Sequence, residues 1–268
     1  MAGLAVTGFG RRAGAAALPW LVPLGIILGW QAAASLGLIS PRVLPSPADV
    51  GLAFWHLAST GELWRDIGVS FGRAVAGALV GGGIGFVLGI LNGTSSLAAR
   101  LLDGALQMLR TIPHLAMIPL VILWFGIGEP AKLFLVAVGV FFPVYLNTYH
   151  GVRTVDAGLL EMARSYGLDG RQLFFAVVLP GALPSILVGV RYALGIMWLT
   201  LIVAETVSAS SGIGYMTMNA REFLQTDVVL VGVLLYALLG KLADLVARAL
   251  ERRCLRWHSG YQVAQGAV

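Results

Sequence analysis

Six apolar runs, separated by short polar interruptions, organise this chain; they cover approximately residues 19–38, 69–92, 112–127, 131–149, 184–203 and 228–248. An α-helix needs about 20 residues to cross the hydrocarbon of a bilayer, so the pattern predicts an all-α integral membrane protein with about six transmembrane helices. The first run follows Arg11 and Arg12 and contains Ala32, Ala33 and Ala34, which are also parts of a signal peptide. Its length, and the spans after it, favour an uncleaved anchor. Between the first two runs, Ser46-Pro47-Ala48-Asp49 forms a capping box with proline at the first helical position. Val50, Ala53, Phe54, Leu57 and Ala58 follow at helical spacing. That helix is too short to span, and is expected to lie along the membrane surface.

Within the second run, Gly77, Gly81, Gly85 and Gly89 recur every four residues, with Gly93 in register just beyond. Such spacing strips one helix face of side chains and lets another backbone approach. The partner of that face is left open between this chain and a second one. Pro119 and Pro143 fall inside the third and fourth runs, where kinks are expected.

Composition strengthens the membrane reading. Hydrophobic residues make up 58% of the 268 positions and charged residues only 12%, about half the usual charged share. A soluble enzyme of this length has no means of hiding so much apolar surface, and disordered chains are polar and highly charged. The formal charge of +5 comes almost wholly from arginine. With a cytoplasmic N-terminus, Arg11, Arg12, Arg100, Arg110, Arg153, Arg164, Arg171, Arg248, Arg252, Arg253 and Arg256 lie inside, while Arg42, Arg65, Arg73, Lys132 and Arg221 lie outside. The positive-inside rule favours that orientation, with both termini cytoplasmic. No basic run is interleaved with aromatics, which argues against nucleic acid. A single cysteine, Cys254, and four scattered histidines (His56, His114, His150, His258) show no metal-ligand spacing.

The largest cytoplasmic loop is residues 151–183. Asp156 is placed to cap a short helix on which Leu159, Leu160, Met162, Ala163 and Tyr166 crowd one side. Gly167 ends it. Asp169 is placed to cap a second helix, which Pro180 is expected to stop. An apolar helix face exposed to the cytoplasm marks a docking site.

Glu161-Met162-Ala163, then Gly167, then Val177-Val178-Leu179-Pro180 resembles the EAA loop of ABC-importer permeases, whose pattern is E-A-A, three residues, G, nine residues, I-x-L-P. Met162 for alanine and Val177 for isoleucine are its mild departures. The segments VLPSPADV at 43–50, GELW at 61–64, LVILWFGIGE at 120–129 and VAETVSASSGIGY at 203–215 are similar to the nitrate/sulfonate/taurine branch. EMARSYGL, PGALPSILVGVRYALG, MWLTLIVAET and MNAREFLQTDVV look most like its aliphatic-sulfonate permeases. The resemblance implies a type I ABC importer permease fold in a bacterial inner membrane. Residues 1–62 would form the tail, first helix and surface helix, 63–250 the permease core, and 251–268 a cytoplasmic tail. It also implies a coupling loop built on Asp156, Leu160, Glu161, Met162, Ala163, Tyr166, Gly167, Leu168, Leu179 and Pro180. Implied partners are a second copy of the chain, two cytoplasmic ABC ATPase subunits that hold ATP and magnesium, and a periplasmic sulfonate-binding protein. The chain itself has no phosphate-binding loop, since Gly240-Lys241 is followed by leucine, so no cofactor of its own is expected.

Ionisable groups at membrane depth are functional candidates by default. Arg191 and Glu205 in the fifth span are the first of these, with Arg191 able to snorkel inward and Glu205 able to reach outer water. Asn147, Tyr145, Trp198 and Ser211 are further pathway or gate candidates, and Ser208–Gly214 is a small outer loop. Lys241 and Asp244, three apart on the last span, are expected to pair. The other classes weighed are the same machine for taurine, nitrate or another small anion, an ion-coupled secondary transporter, which would need paired broken helices and a repeat, and a membrane enzyme, which would need clustered catalytic groups.

Overall fold

The computed structural model describes residues 6–257, with side chains from Leu21 onward apart from Ser208. The side chains of Arg11 and Arg12, and the tail from His258, lie outside the described residues. All regular elements among the described residues are helical: α1 (Val6–Ser35), α2 (Pro47–Ser59), α3 (Glu62–Thr94), α4 (Ser96–Arg110), α5 (Ile118–Phe125), α6 (Glu129–Arg153), α7 (Ala157–Ser165), α8 (Gly170–Leu173), α9 (Leu179–Ser208), α10 (Ile213–Glu222) and α11 (Thr226–Cys254). The chain divides into two compact units. Among the described residues, one holds 6–64 with Met216–Val233, and the other holds Arg65–Tyr215 with 234–257.

In the first unit, α2 starts at the expected capping box. Ser46 Oγ accepts from Asp49 N at 3.2 Å, and Asp49 Oδ2 accepts from Ser46 N at 3.1 Å. Val50, Ala53 and Leu57 form its buried face, whereas Phe54 of the expected stripe is exposed. Gln31 Oε1 accepts from Ala48 N at 3.1 Å and ties α2 to α1.

In the second unit the glycine face of α3 finds its partner within the chain, on α6. A Cβ added at Gly77 would lie 2.6 Å from Val136 Cγ1, at Gly85 2.6 Å from the carbonyl oxygen of Phe141, and at Gly89 2.7 Å from Thr148 Cβ. Gly81 faces the carbonyl of Ala137 more tightly still. Backbone-to-backbone approach of this kind gains dispersion contacts that lipid offers no rival to. The other side of α6 repeats the device against α9, where Gly189 meets Asn147 and Pro143, and Gly151 meets Ala182 and Ser185. Ala74, Val136, Val140, Val144, Ala193, Met197, Trp198 and Leu201 fill the core between these three helices.

Among the described residues, four helices are long and apolar enough to cross a membrane: α3, α6, the continuous stretch Gly170–Val207, and α11. The third apolar run does not form the single span, kinked at Pro119, expected over residues 112–127. Pro113 ends α4 after Arg110, one 3-10 turn follows at His114–Met117, and Pro119 opens α5 rather than kinking a longer helix. Eight residues reach only about 12 Å. Together α4 and the 114–125 segment form a pair bent by 82°, a fifth crossing only if taken as one broken span. Pro143, by contrast, lies inside α6, which runs unbroken through it. In α1 the described apolar stretch is the shorter Leu21–Ser35.

Candidate functional site

The loop after α6 begins with a capped helix. Asp156 Oδ1 accepts from Leu159 N at 3.1 Å, satisfying an amide that the first turn of α7 leaves free. At the other end Gly167 takes φ +82°, its N–H donates to the Arg164 carbonyl (2.9 Å), and Leu168 N donates to the Ala163 carbonyl (3.1 Å). That is a Schellman closure, which fixes the exit direction of the chain. Ala163 is buried and Leu160 half-buried, while Leu159, Met162 and Tyr166 stand exposed at i, i+3 and i+7, Tyr166 at 79%. Glu161 lies exposed, and among the described residues its carboxylate has no ion-pair partner.

The second helix of the loop differs from expectation. Asp169 sits at the N-cap of α8 without a side-chain cap, and Pro180 stops nothing. Phe174–Val178 form a π-turn in which Leu179 N donates to the Phe174 carbonyl, five residues back. The ladder is shifted to five-residue bonds just before Pro180, and α8 runs through into α9 as one apolar stretch. Val178 and Leu179 pack against Val152, Ala182 and Ile186, where α6 and α9 meet. The loop is therefore rooted in the same helix pair at both of its ends.

At the opposite end of that pair lies a buried ion-pair cluster. Glu205, 1% exposed, accepts from Ser70 Oγ (2.8 Å), Arg73 Nη1 (2.8 Å), Gly214 N (2.9 Å) and Tyr236 Oη (3.2 Å). Arg73 also donates from Nε to Glu129 Oε2 at 2.7 Å and from Nη1 to the Ser211 carbonyl at 2.6 Å. Lys132 Nζ donates to Glu129 Oε1 at 2.8 Å. Asp66 Oδ1 accepts from Gly212 N (3.0 Å), and Ser70 Oγ from Ile213 N (2.9 Å). Three side chains of α3, two of α6, one of α9 and one of α11 thus hold the turn at residues 211–214. A buried charge is tolerated only when paired and hydrogen-bonded in this way. Glu205 therefore does not reach water, and Arg73 and Lys132 are buried inside the fold rather than free loop cations.

The remaining candidates separate by environment. Tyr145 packs with Tyr149 and Ala99, its hydroxyl accepting from Asn92 Nδ2 (2.8 Å) and donating to Asp103 Oδ1 (3.2 Å). Trp198 belongs to the α3–α6–α9 core, and Asn147 Nδ2 donates to the Pro143 carbonyl at 2.9 Å beneath Gly189. All three lie packed within the second unit. Arg191 is half exposed, donating from Nη2 to Asp244 Oδ1 at 2.8 Å. Asp244 also takes Arg248 at 2.8 Å, so Lys241 is not its partner: Arg191 from α9 and Arg248 one turn along α11 reach both of its oxygens. Sequence reading missed Arg73, Lys132, Glu129, Asp66, Ser70 and Tyr236. For the four charged ones the available signal was charge within four residues of a span end, whereas Ser70 and Tyr236 gave none.

The family of inner membrane components of binding-protein-dependent transport systems matches residues 65–256. The chain is 61% identical, over 93% of its length and 95% of the other, to a protein of Escherichia coli strain K12 named for aliphatic sulfonates transport. It is 49% identical to one of the same name from Bacillus subtilis strain 168, covering 90% and 88%. A taurine transport permease protein of Escherichia coli strain K12 is 38% identical, covering 87% and 86%. In fold, the chain is similar to a methionine ABC transporter solved in inward-facing form, with TM-score 0.51 and 21% identity over 74% of this chain and 97% of that one.

Proposed function

We propose that this chain, which belongs to the family of inner membrane components of binding-protein-dependent transport systems, is the permease subunit through which aliphatic sulfonates enter the cell at the expense of ATP. The observation that carries the reading is the near full-length likeness to two proteins named for that transport, well above the likeness to the taurine-named relative. Hydrolysis falls to two separate ATPase subunits, specificity largely to a periplasmic binding protein, and the permease works as a homodimer with both termini in the cytoplasm.

The proposed mechanism is mechanical. α7 presents Leu159, Met162 and Tyr166 as an uncovered apolar stripe beside the unpaired carboxylate of Glu161, which suits the groove of another protein rather than water. Its capped start and Schellman end make it a stiff lever. Movement of the lever reaches α6 and α9 through their roots at Val152, Leu179 and Ala182. Those helices are packed too tightly to slide freely, so the force arrives at the Arg73–Glu205 cluster, about 36 Å away along α6. Opening and closing there gates the outer end around Ser211.

Growth on single sulfur sources tests the substrate. A strain lacking this chain is expected to grow on sulfate and on taurine but not on a linear alkanesulfonate, with growth restored by the wild-type chain. Normal growth on the alkanesulfonate moves the substrate to another small anion. Docking is tested by Glu161→Lys, which is expected to reduce co-purification of the ATPase at least about tenfold, a loss of about 1.4 kcal/mol. Undiminished co-purification would remove Glu161 from the interface.

A further inference from the structure

Between α9 and α11 of the second unit runs an open groove of about 690 Å³. Its α9 wall is one helical stripe, Val188, Arg191, Tyr192, Gly195, Ile196 and Leu199, recurring at three- and four-residue spacing. From Arg191 to Leu199 the stripe runs about 12 Å along the axis. Chemistry changes along it. At one end the Arg191 guanidinium donates from Nε and Nη2 to Asp244 Oδ1 at 3.1 and 2.8 Å and lies 3.8 Å from Glu251, yet its side chain remains 43% exposed. Tyr192 stands beside Arg191, and toward the other end the lining is the aliphatic Ile196 and Leu199. Gly195, with Gly240 opposite on α11, keeps the floor open, since a Cβ at either position meets no atom within 4 Å.

We propose that this groove is the section of the passage in which an alkanesulfonate rides, Arg191 meeting the sulfonate and Tyr192, Ile196 and Leu199 meeting the alkyl chain; the assignment rests on the substrate proposed above. A guanidinium fork matches the paired oxygens of a sulfonate as it does those of a carboxylate. Asp244 already occupies that fork, so an arriving anion exchanges with a carboxylate instead of filling an empty cation site. Transport needs such weak, exchangeable binding, because a tightly held substrate does not leave. The two-part lining answers the two-part substrate, a charged head with an apolar tail. Sulfate, which has no tail, gains nothing from the far end.

The test uses the complete importer reconstituted in vesicles with its ATPase and binding protein, measuring ATP-driven uptake of ethanesulfonate and octanesulfonate side by side. Gly195→Leu projects into open space, so the fold accommodates it while the groove narrows. Its octanesulfonate-to-ethanesulfonate uptake ratio is expected to fall about tenfold, as when a few methylenes lose contact. Arg191→Gln is expected to depress both substrates about equally, with partial recovery in Arg191→Lys. An unchanged ratio in Gly195→Leu overturns the assignment. So does an equal loss of both substrates accompanied by loss of the permease dimer on sizing, which would make this face a contact between copies. If the wild-type importer takes up neither sulfonate, the substrate reading itself fails and the groove assignment falls with it.

Discussion

Glu205 and Arg191 occupy the same helix, fourteen residues apart, and look alike in the sequence as ionisable groups at membrane depth. Their surroundings separate them. Glu205 is 1% exposed and accepts hydrogen bonds from four residues on three helices, so its loss strands Ser70 and the Gly214 amide and leaves Arg73 with Glu129 alone to balance its charge. Glu205→Ala is expected to cost about 3–5 kcal/mol, the range for removing one partner of a buried pair. Thermal unfolding of the detergent-solubilised protein checks this, and an unshifted midpoint would show that the cluster does not hold the fold. Arg191, half exposed beside Asp244, is expected to shift that midpoint far less on substitution by glutamine. The fork from Arg73 to both Glu129 and Glu205 was not legible from spacing, because its members lie 56 and 132 residues away.

At the scale of elements, the glycine stripe of α3 was readable as a packing face, but not which helix it faced. The answer lies in the α6 backbone, and it makes a sharp prediction. Gly85→Ala places a Cβ 2.6 Å from the Phe141 carbonyl oxygen and is expected to destabilise by about 1–3 kcal/mol as α3 is pushed off α6. Gly83→Ala, two residues away where a Cβ meets nothing within 4 Å, is expected to be neutral or to gain up to about 1 kcal/mol. Equal midpoints for the two variants in thermal unfolding would contradict the packing account. The α7 caps were legible at both ends, since Asp156 and Gly167 act through local backbone geometry. Asp156→Ala is expected to cost about 1 kcal/mol of local helix stability, read as faster amide exchange confined to α7. Uniform exchange with wild type would mean that the side-chain cap contributes nothing. Pro180 was misleading because a proline stop assumes an α-helical ladder, and the π-turn before it supplies a different one.

For the whole molecule, the coupling proposal requires that α7 be stiff and correctly aimed. Gly167 holds φ +82°, where any β-branched residue is strained by about 1–2 kcal/mol. Gly167→Val is therefore expected either to misassemble the transporter or to abolish substrate-stimulated ATPase activity in the reconstituted complex. Wild-type stimulation in that variant would show that the lever does not need its bend. The α6–α9 pair, with the loop at one end and the ion-pair cluster at the other, is the element both events would share.

Much of this protein followed from its sequence alone. Apolar runs of span length, a charged fraction too low for water, local caps, the glycine register and the loop pattern are all properties of near neighbours in the chain, and helices in lipid form from near neighbours because every backbone bond closes within the segment. Tertiary structure decided what depends on distant partners. It cut the third apolar run to a 3-10 turn and the short α5, bent against α4, turned Glu205 inward to Arg73, gave Asp244 to Arg191 instead of Lys241, and laid α3 on α6. Each of these is a choice among partners far apart in the chain, settled by which burial leaves no charge unpaired and no backbone held apart by a side chain.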